Sequence, residues 1–138
     1  LEAIHGKVAG QPRVDLGAES RLQQLVLRLN GEGALRSAHD CSDGGLAVTI
    51  AESAILGGVG FEATAELTGR LDAALFGEAQ ARILVSAVAG AAARIEEAAR
   101  QAGVPAARLG RVTDGGRFVL GPIATTVAEL AEAYEAGI

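Results

Sequence analysis

The sequence predicts an α+β domain: a mixed β-sheet of about five strands layered with about four helices. Three observations point there. Helical apolar spacing and strand alternation follow one another along the chain. Glycine-bearing breaks separate them at element-length intervals. The composition, 49% apolar but only 3% aromatic, requires an aliphatic core. At 138 residues the chain makes one domain that buries roughly two thirds of its unfolded surface.

The elements follow in order. Residues 1–18 read as a lead-in arm or linker, broken by Gly6, Gly10, Pro12 and Gly17. Residues 19–138 then form a single domain. From Glu19 to Asn30, Leu22, Leu25, Val26 and Leu29 fall on one helical face, and Asn30-Gly31 ends it. Ala34 to His39 is a short strand. A helix from about Gly44 to Leu56 stops at Gly57-Gly58. Val59 to Leu67 alternates apolar and polar, the pattern of a half-buried strand. A turn-rich link, Thr68 to Ala81, carries one short helix near Leu71–Phe76. The continuous apolar run Arg82 to Val88 predicts a strand central in a sheet. Ala91 to Ala102 is a helix closed by Gly103. Leu109–Thr113 and Arg117–Leu120 flank Asp114-Gly115-Gly116, which predicts a hairpin. Thr125 or Thr126 caps a last helix, Val127 to Ala136.

Charge narrows the function. Seventeen acids against 12 bases leave a net charge of -5. Residues 41–90 carry Asp43, Glu52, Glu62, Glu66, Asp72 and Glu78 against only Arg70 and Arg82. That surface repels a phosphate backbone, so no nucleic-acid partner is expected. No apolar stretch is long enough to cross a bilayer. The lone Cys41 excludes an intramolecular disulfide and fits a reducing cytoplasm, the expected location. With no initiator Met, the chain reads as a piece of a longer polypeptide.

Most of the polar chemistry sits in Ser37-Ala38-His39-Asp40-Cys41-Ser42-Asp43-Gly44-Gly45-Leu46, between a strand and a helix. Such a junction can offer backbone N–H groups to an anion, with Asp43, Gly44 and Gly45 as the binding turn. The same residues serve plain architecture: Ser42 or Asp43 as helix cap, the glycines as a tight bend. Asp40 and Asp43 are the carboxylates a magnesium ion would take; local hydrogen bonding is the alternative. Zinc would need His39 together with His5 and further ligands. Cys41 with His39 makes a conceivable nucleophile and base, against an inert core thiol. Glu78 and Arg82, ahead of the apolar strand, either contact a polar ligand or pair with each other. Asp114-Gly115-Gly116 needs no role beyond its turn.

The blocks Ser37 to Val48, Ala51-Glu52, Leu75-Phe76-Gly77-Glu78, Arg82 to Ser86, Leu109-Gly110 and Leu130-Ala131-Glu132-Ala133-Tyr134 resemble phosphoribosylformylglycinamidine synthase. The likeness is to the final domain of its small-subunit bacterial form and covers nearly the whole chain. It implies a fold like the C-terminal domain of aminoimidazole ribonucleotide synthetase. It also implies an ATP-dependent carbon–nitrogen ligase of de novo purine synthesis. In that enzyme ATP phosphorylates the amide oxygen of formylglycinamide ribonucleotide, and ammonia made from glutamine displaces the phosphate. ATP and Mg²⁺ serve the full-length enzyme, with none expected tightly bound to this piece. The implied partners are the upstream domains of its own chain, a glutaminase subunit and a small accessory subunit. Self-association of the excised domain is a further expectation.

No catalytic residue is carried onto this chain by the resemblance, because the family's ligands sit mostly upstream. This piece alone is expected to be structural and inactive. The sequence departs from the family pattern at Cys41, Ala79 and Ala81, and Gly77 to Arg82 lacks the serine often found after the glutamate. Alternatives are another superfamily member, such as aminoimidazole ribonucleotide synthetase or selenophosphate synthetase, an independent phosphate-binding module, or a structural interaction domain.

Overall fold

A computed structural model of the chain describes residues 14–137. Most of the 1–18 arm, and His5 with it, lies outside the described residues. The part inside departs from the expectation. Helix α1 spans Leu16–Gly31 because the Asp15 carboxylate accepts the Ala18 N–H at 3.0 Å and starts it three residues early. Gly17 is thus inside the first turn rather than in a linker. Leu25 and Leu29 are the buried residues of α1.

Strand β1, Ser37–Asp40, leads into α2, Gly45–Gly57. Gly58, at φ +61, closes α2 by returning its N–H to the carbonyls of Ala54 and Ile55. Strand β2 is only Gly60–Ala63. The alternation continues to Leu67, but the amides of Thr64 and Ala65 both turn to the Leu109 carbonyl, at 2.9 and 3.1 Å, and the ladder stops. The short helix α3 is Leu71–Phe76 and β3 is Ile83–Ser86. A single 3₁₀ turn, Ala89–Ala91, precedes α4, Ala92–Gln101. Strands β4 (Gly110–Thr113), β5 (Arg117–Leu120) and β6 (Ile123–Thr126) lead to α5, Val127–Ala136.

The α+β class holds, with the strands divided between two sheets. One is mixed and four-stranded, in the order β4-β2-β5-β6; the other is the antiparallel pair β1-β3. Two expectations fail here. The apolar run at β3 is an edge partner of β1, half-buried at every position, rather than a central strand. The predicted hairpin is absent as well, because β2 lies between β4 and β5, antiparallel to one and parallel to the other. Asp114-Gly115-Gly116 instead crosses over the end of β2. Gly60 permits the crossing: a Cβ there would clash with the Thr113 hydroxyl and lie 2.6 Å from the Arg117 carbonyl oxygen.

Two apolar clusters hold the layers. The larger joins Leu46, Ala47, Ile50 and Ala54 of α2 to Leu75, Phe118, Leu120 and Cys41. The smaller packs Leu25 and Leu29 against Ala34 and Ala99. Cys41 is therefore a core thiol, while the His39 ring nitrogens face the Asp40 carbonyl and the Glu52 carboxylate.

Candidate functional site: the diglycine junction

The junction between β1 and α2 takes its shape from two successive left-handed residues, Gly44 at φ +77 and Gly45 at φ +66. Only glycine adopts this twice in a row at little cost. Space excludes side chains too. A Cβ on Gly44 would lie 2.5 Å from the Val48 side chain, and one on Gly45 would lie 2.8 Å from the Phe76 carbonyl carbon.

The helix start is capped differently from expectation. Gly44 is the N-cap residue and offers no side chain; Ser42 contributes its carbonyl, which accepts the Gly45 N–H at 3.1 Å. Asp43 stays exposed and makes no hydrogen bond to the helix among the described residues. The acceptor for the Gly44 N–H comes from far along the chain: Glu78 Oε1, at 3.2 Å. A carboxylate at a helix N-terminus is favoured by the helix dipole, whichever residue supplies it.

Glu78 and Arg82 do not pair with each other. Arg82 donates through a guanidinium N–H to the Gly77 carbonyl at 3.0 Å, and its own carbonyl accepts the Cys41 N–H at 3.0 Å. Between them Ala81 takes φ +57, the one left-handed non-glycine residue described. The structure thus gathers Gly44, Gly45, Glu78 and Arg82 around one bend, with Asp43 at its exposed lip.

Asp40 belongs to a neighbouring cluster that sequence reasoning did not assemble. Its carbonyl accepts from His39 Nδ1 at 2.8 Å and from the buried Thr49 hydroxyl at 3.4 Å. Thr49 donates more closely to the Gly45 carbonyl, at 2.9 Å. On the other side of the ring, His39 Nε2 lies 3.2 Å from the Glu52 carboxylate. Thr49 and Glu52 stand three apart on α2, the spacing that would have marked one helix face turned to β1.

At this bend a phosphate would compete with the chain's own groups. Glu78 holds the Gly44 amide that a phosphate would use, and the Phe76–Gly77 backbone lies against Gly45. Asp40 and Asp43 do not converge with a third ligand: no group of three His, Cys, Asp or Glu side chains gathers among the described residues. The carboxylates whose proton affinity is lowered lie elsewhere: Asp15 through the Ala18 amide, Glu62 through its hydrogen bond from Arg111, Asp72 through Arg70, Glu97 through Arg100, and Glu129 through the Thr125 hydroxyl. An open groove of about 590 Å³ beyond the carboxyl ends of β2 and β5, bordered by Thr64, Glu66, Leu71 and Pro122, contains none of the junction residues.

Comparison with known proteins agrees with the fold. The family model "AIR synthase related protein, C-terminal domain" matches residues 1–122. Proteins named phosphoribosylformylglycinamidine synthase subunit PurL are similar over the whole chain. That of an Anaeromyxobacter species is 42% identical, with this chain spanning 19% of its length. That of Thermomicrobium roseum is 42% identical, with 20% of its length spanned. Among solved structures, T. maritima PurL complexed with FGAR superposes with a TM-score of 0.78 at 24% identity, over 94% of this chain and 24% of that one. The PurLQS assembly of Thermotoga maritima gives a TM-score of 0.74 at 23% identity, over 94% of this chain and 24% of that one. The chain spans about a fifth of the length of the curated relatives it matches.

Proposed function

The chain belongs to the AIR synthase related protein, C-terminal domain family, and on that premise we propose that it is the C-terminal domain of a phosphoribosylformylglycinamidine synthase. The whole enzyme, on this reading, converts formylglycinamide ribonucleotide, ATP and ammonia to formylglycinamidine ribonucleotide in the cytoplasm. The observation that carries the reading is 42% identity along the full chain to proteins of that name. The ATP and Mg²⁺ of the reaction are held by upstream domains. A glutaminase subunit and a small accessory subunit complete the assembly, a reading supported by the likeness to the PurLQS structure.

This domain's part is architectural. In its polar junction the Gly44 amide and the Arg82 guanidinium are both engaged by the chain's own groups, which supports this reading. Incubating the isolated chain with ATP, Mg²⁺, formylglycinamide ribonucleotide and ammonia is expected to yield no product. Turnover by the chain alone would overturn the architectural role.

A further inference from the structure

We propose that the segment from Gly77 to Arg82 is an internal plug: the chain's own Glu78 carboxylate takes the anion position of the diglycine bend, and no phosphate binds there. Three contacts carry this. The Gly44 N–H, the amide that a left-handed turn turns toward an anion, already donates to Glu78 Oε1 at 3.2 Å. A Cβ on Gly45 would lie 2.9 Å from the Gly77 carbonyl oxygen, so the plug's backbone rests directly on the second glycine. Arg82, the nearby cation that would answer a phosphate, commits its guanidinium to the Gly77 carbonyl at 3.0 Å.

The plug is tied at both ends. The Arg82 carbonyl is fixed to the Cys41 N–H, and Gly77 returns its own N–H to the Ala73 carbonyl at 3.0 Å. The left-handed Ala81 turns the chain between these anchors. A phosphate entering here would meet a carboxylate of its own sign and a backbone in van der Waals contact. Freeing the Gly44 amide would break its bond to Glu78, and moving the backbone off Gly45 would strain the bonds at both anchors. The inference rests on this chain's geometry and holds whichever enzyme of the family the domain comes from.

The test follows the Gly44 and Gly45 amide resonances of the isotope-labelled chain while inorganic pyrophosphate, and separately ADP with Mg²⁺, are added to millimolar concentration. Neither resonance is expected to shift saturably. In parallel, Glu78→Ala is expected to speed hydrogen exchange at Gly44 about tenfold relative to the middle of α2, with Glu78→Gln giving a smaller rise. A saturable shift of either glycine in the unmodified chain would overturn the plug. Unchanged Gly44 exchange in both variants would overturn it equally. Should Glu78→Ala fail to fold, Glu78→Gln carries the exchange measurement alone.

Discussion

At Gly45 two demands meet on one residue: a left-handed backbone and a neighbouring carbonyl where a side chain would stand. Gly58 meets only the first, with φ +61 and open space around it. Gly58→Ala is therefore expected to cost about 1–2 kcal/mol, the left-handed penalty alone. Gly45→Ala adds overpacking against Phe76 and Gly77 and is expected to cost about 3 kcal/mol or more. Urea unfolding of the two variants separates the contributions, and equal losses would remove the steric argument. The two glycines were legible as a bend in the sequence. Their partner was not, because Glu78 lies far along the chain and pattern reading finds only neighbours in sequence. Ser42 or Asp43 was the local expectation for the helix cap, and the left-handed Gly44 takes the N-cap position in their place.

Among the elements, α5 is tied most clearly at its start. Thr126 accepts the Glu129 N–H at 3.2 Å while the Glu129 carboxylate accepts the Thr126 N–H at 2.9 Å, a reciprocal cap. Thr126→Ala is expected to lower stability by about 1 kcal/mol in thermal unfolding. The bond from the Thr125 hydroxyl, followed by those from the Thr126 N–H and hydroxyl, holds the Glu129 carboxyl below the usual glutamate range. A lowered folded-state value places the cap's contribution fully above the ordinary glutamate range, and it is lost as pH falls through that lowered value. Protection of the first-turn amides of α5, taken relative to the intrinsic exchange rate at each pH, should therefore fall on acidification below that range. Thr126→Ala should blunt the effect. A cap insensitive to pH would contradict the assignment.

This cap was readable from Thr125-Thr126 and the glutamate that follows. The sheet order was not. Asp114-Gly115-Gly116 between two strands has the local chemistry of a hairpin, yet β2 enters between them through a parallel pairing with β5. Strand β6 followed Gly121-Pro122 and was hidden by that break, although all four of its residues pair with β5. Gly60 and Gly110, where β2 meets β4, leave no room for a side chain, a close approach that shows only in the fold.

Taken whole, the molecule pairs two modest apolar clusters, the larger built around Phe118, with several large apolar side chains left in the open. Leu16, Leu27 and Leu56 are 77%, 71% and 82% exposed. A domain built to lie against the rest of a larger enzyme carries such positions without strain. The excised chain is accordingly expected to self-associate in light scattering at high concentration, and a clean monomer throughout would count against it. The layered class was legible because helical and strand periods alternate along the chain. The division into two sheets depended on pairings between distant segments. The most direct measurement replaces the matching fifth of the Thermomicrobium roseum relative with this chain and assays ATP-dependent formation of formylglycinamidine ribonucleotide. The account predicts turnover within about an order of magnitude of the parent enzyme, equivalent to roughly 1.4 kcal/mol in the barrier. A soluble, folded chimera with no turnover would contradict it.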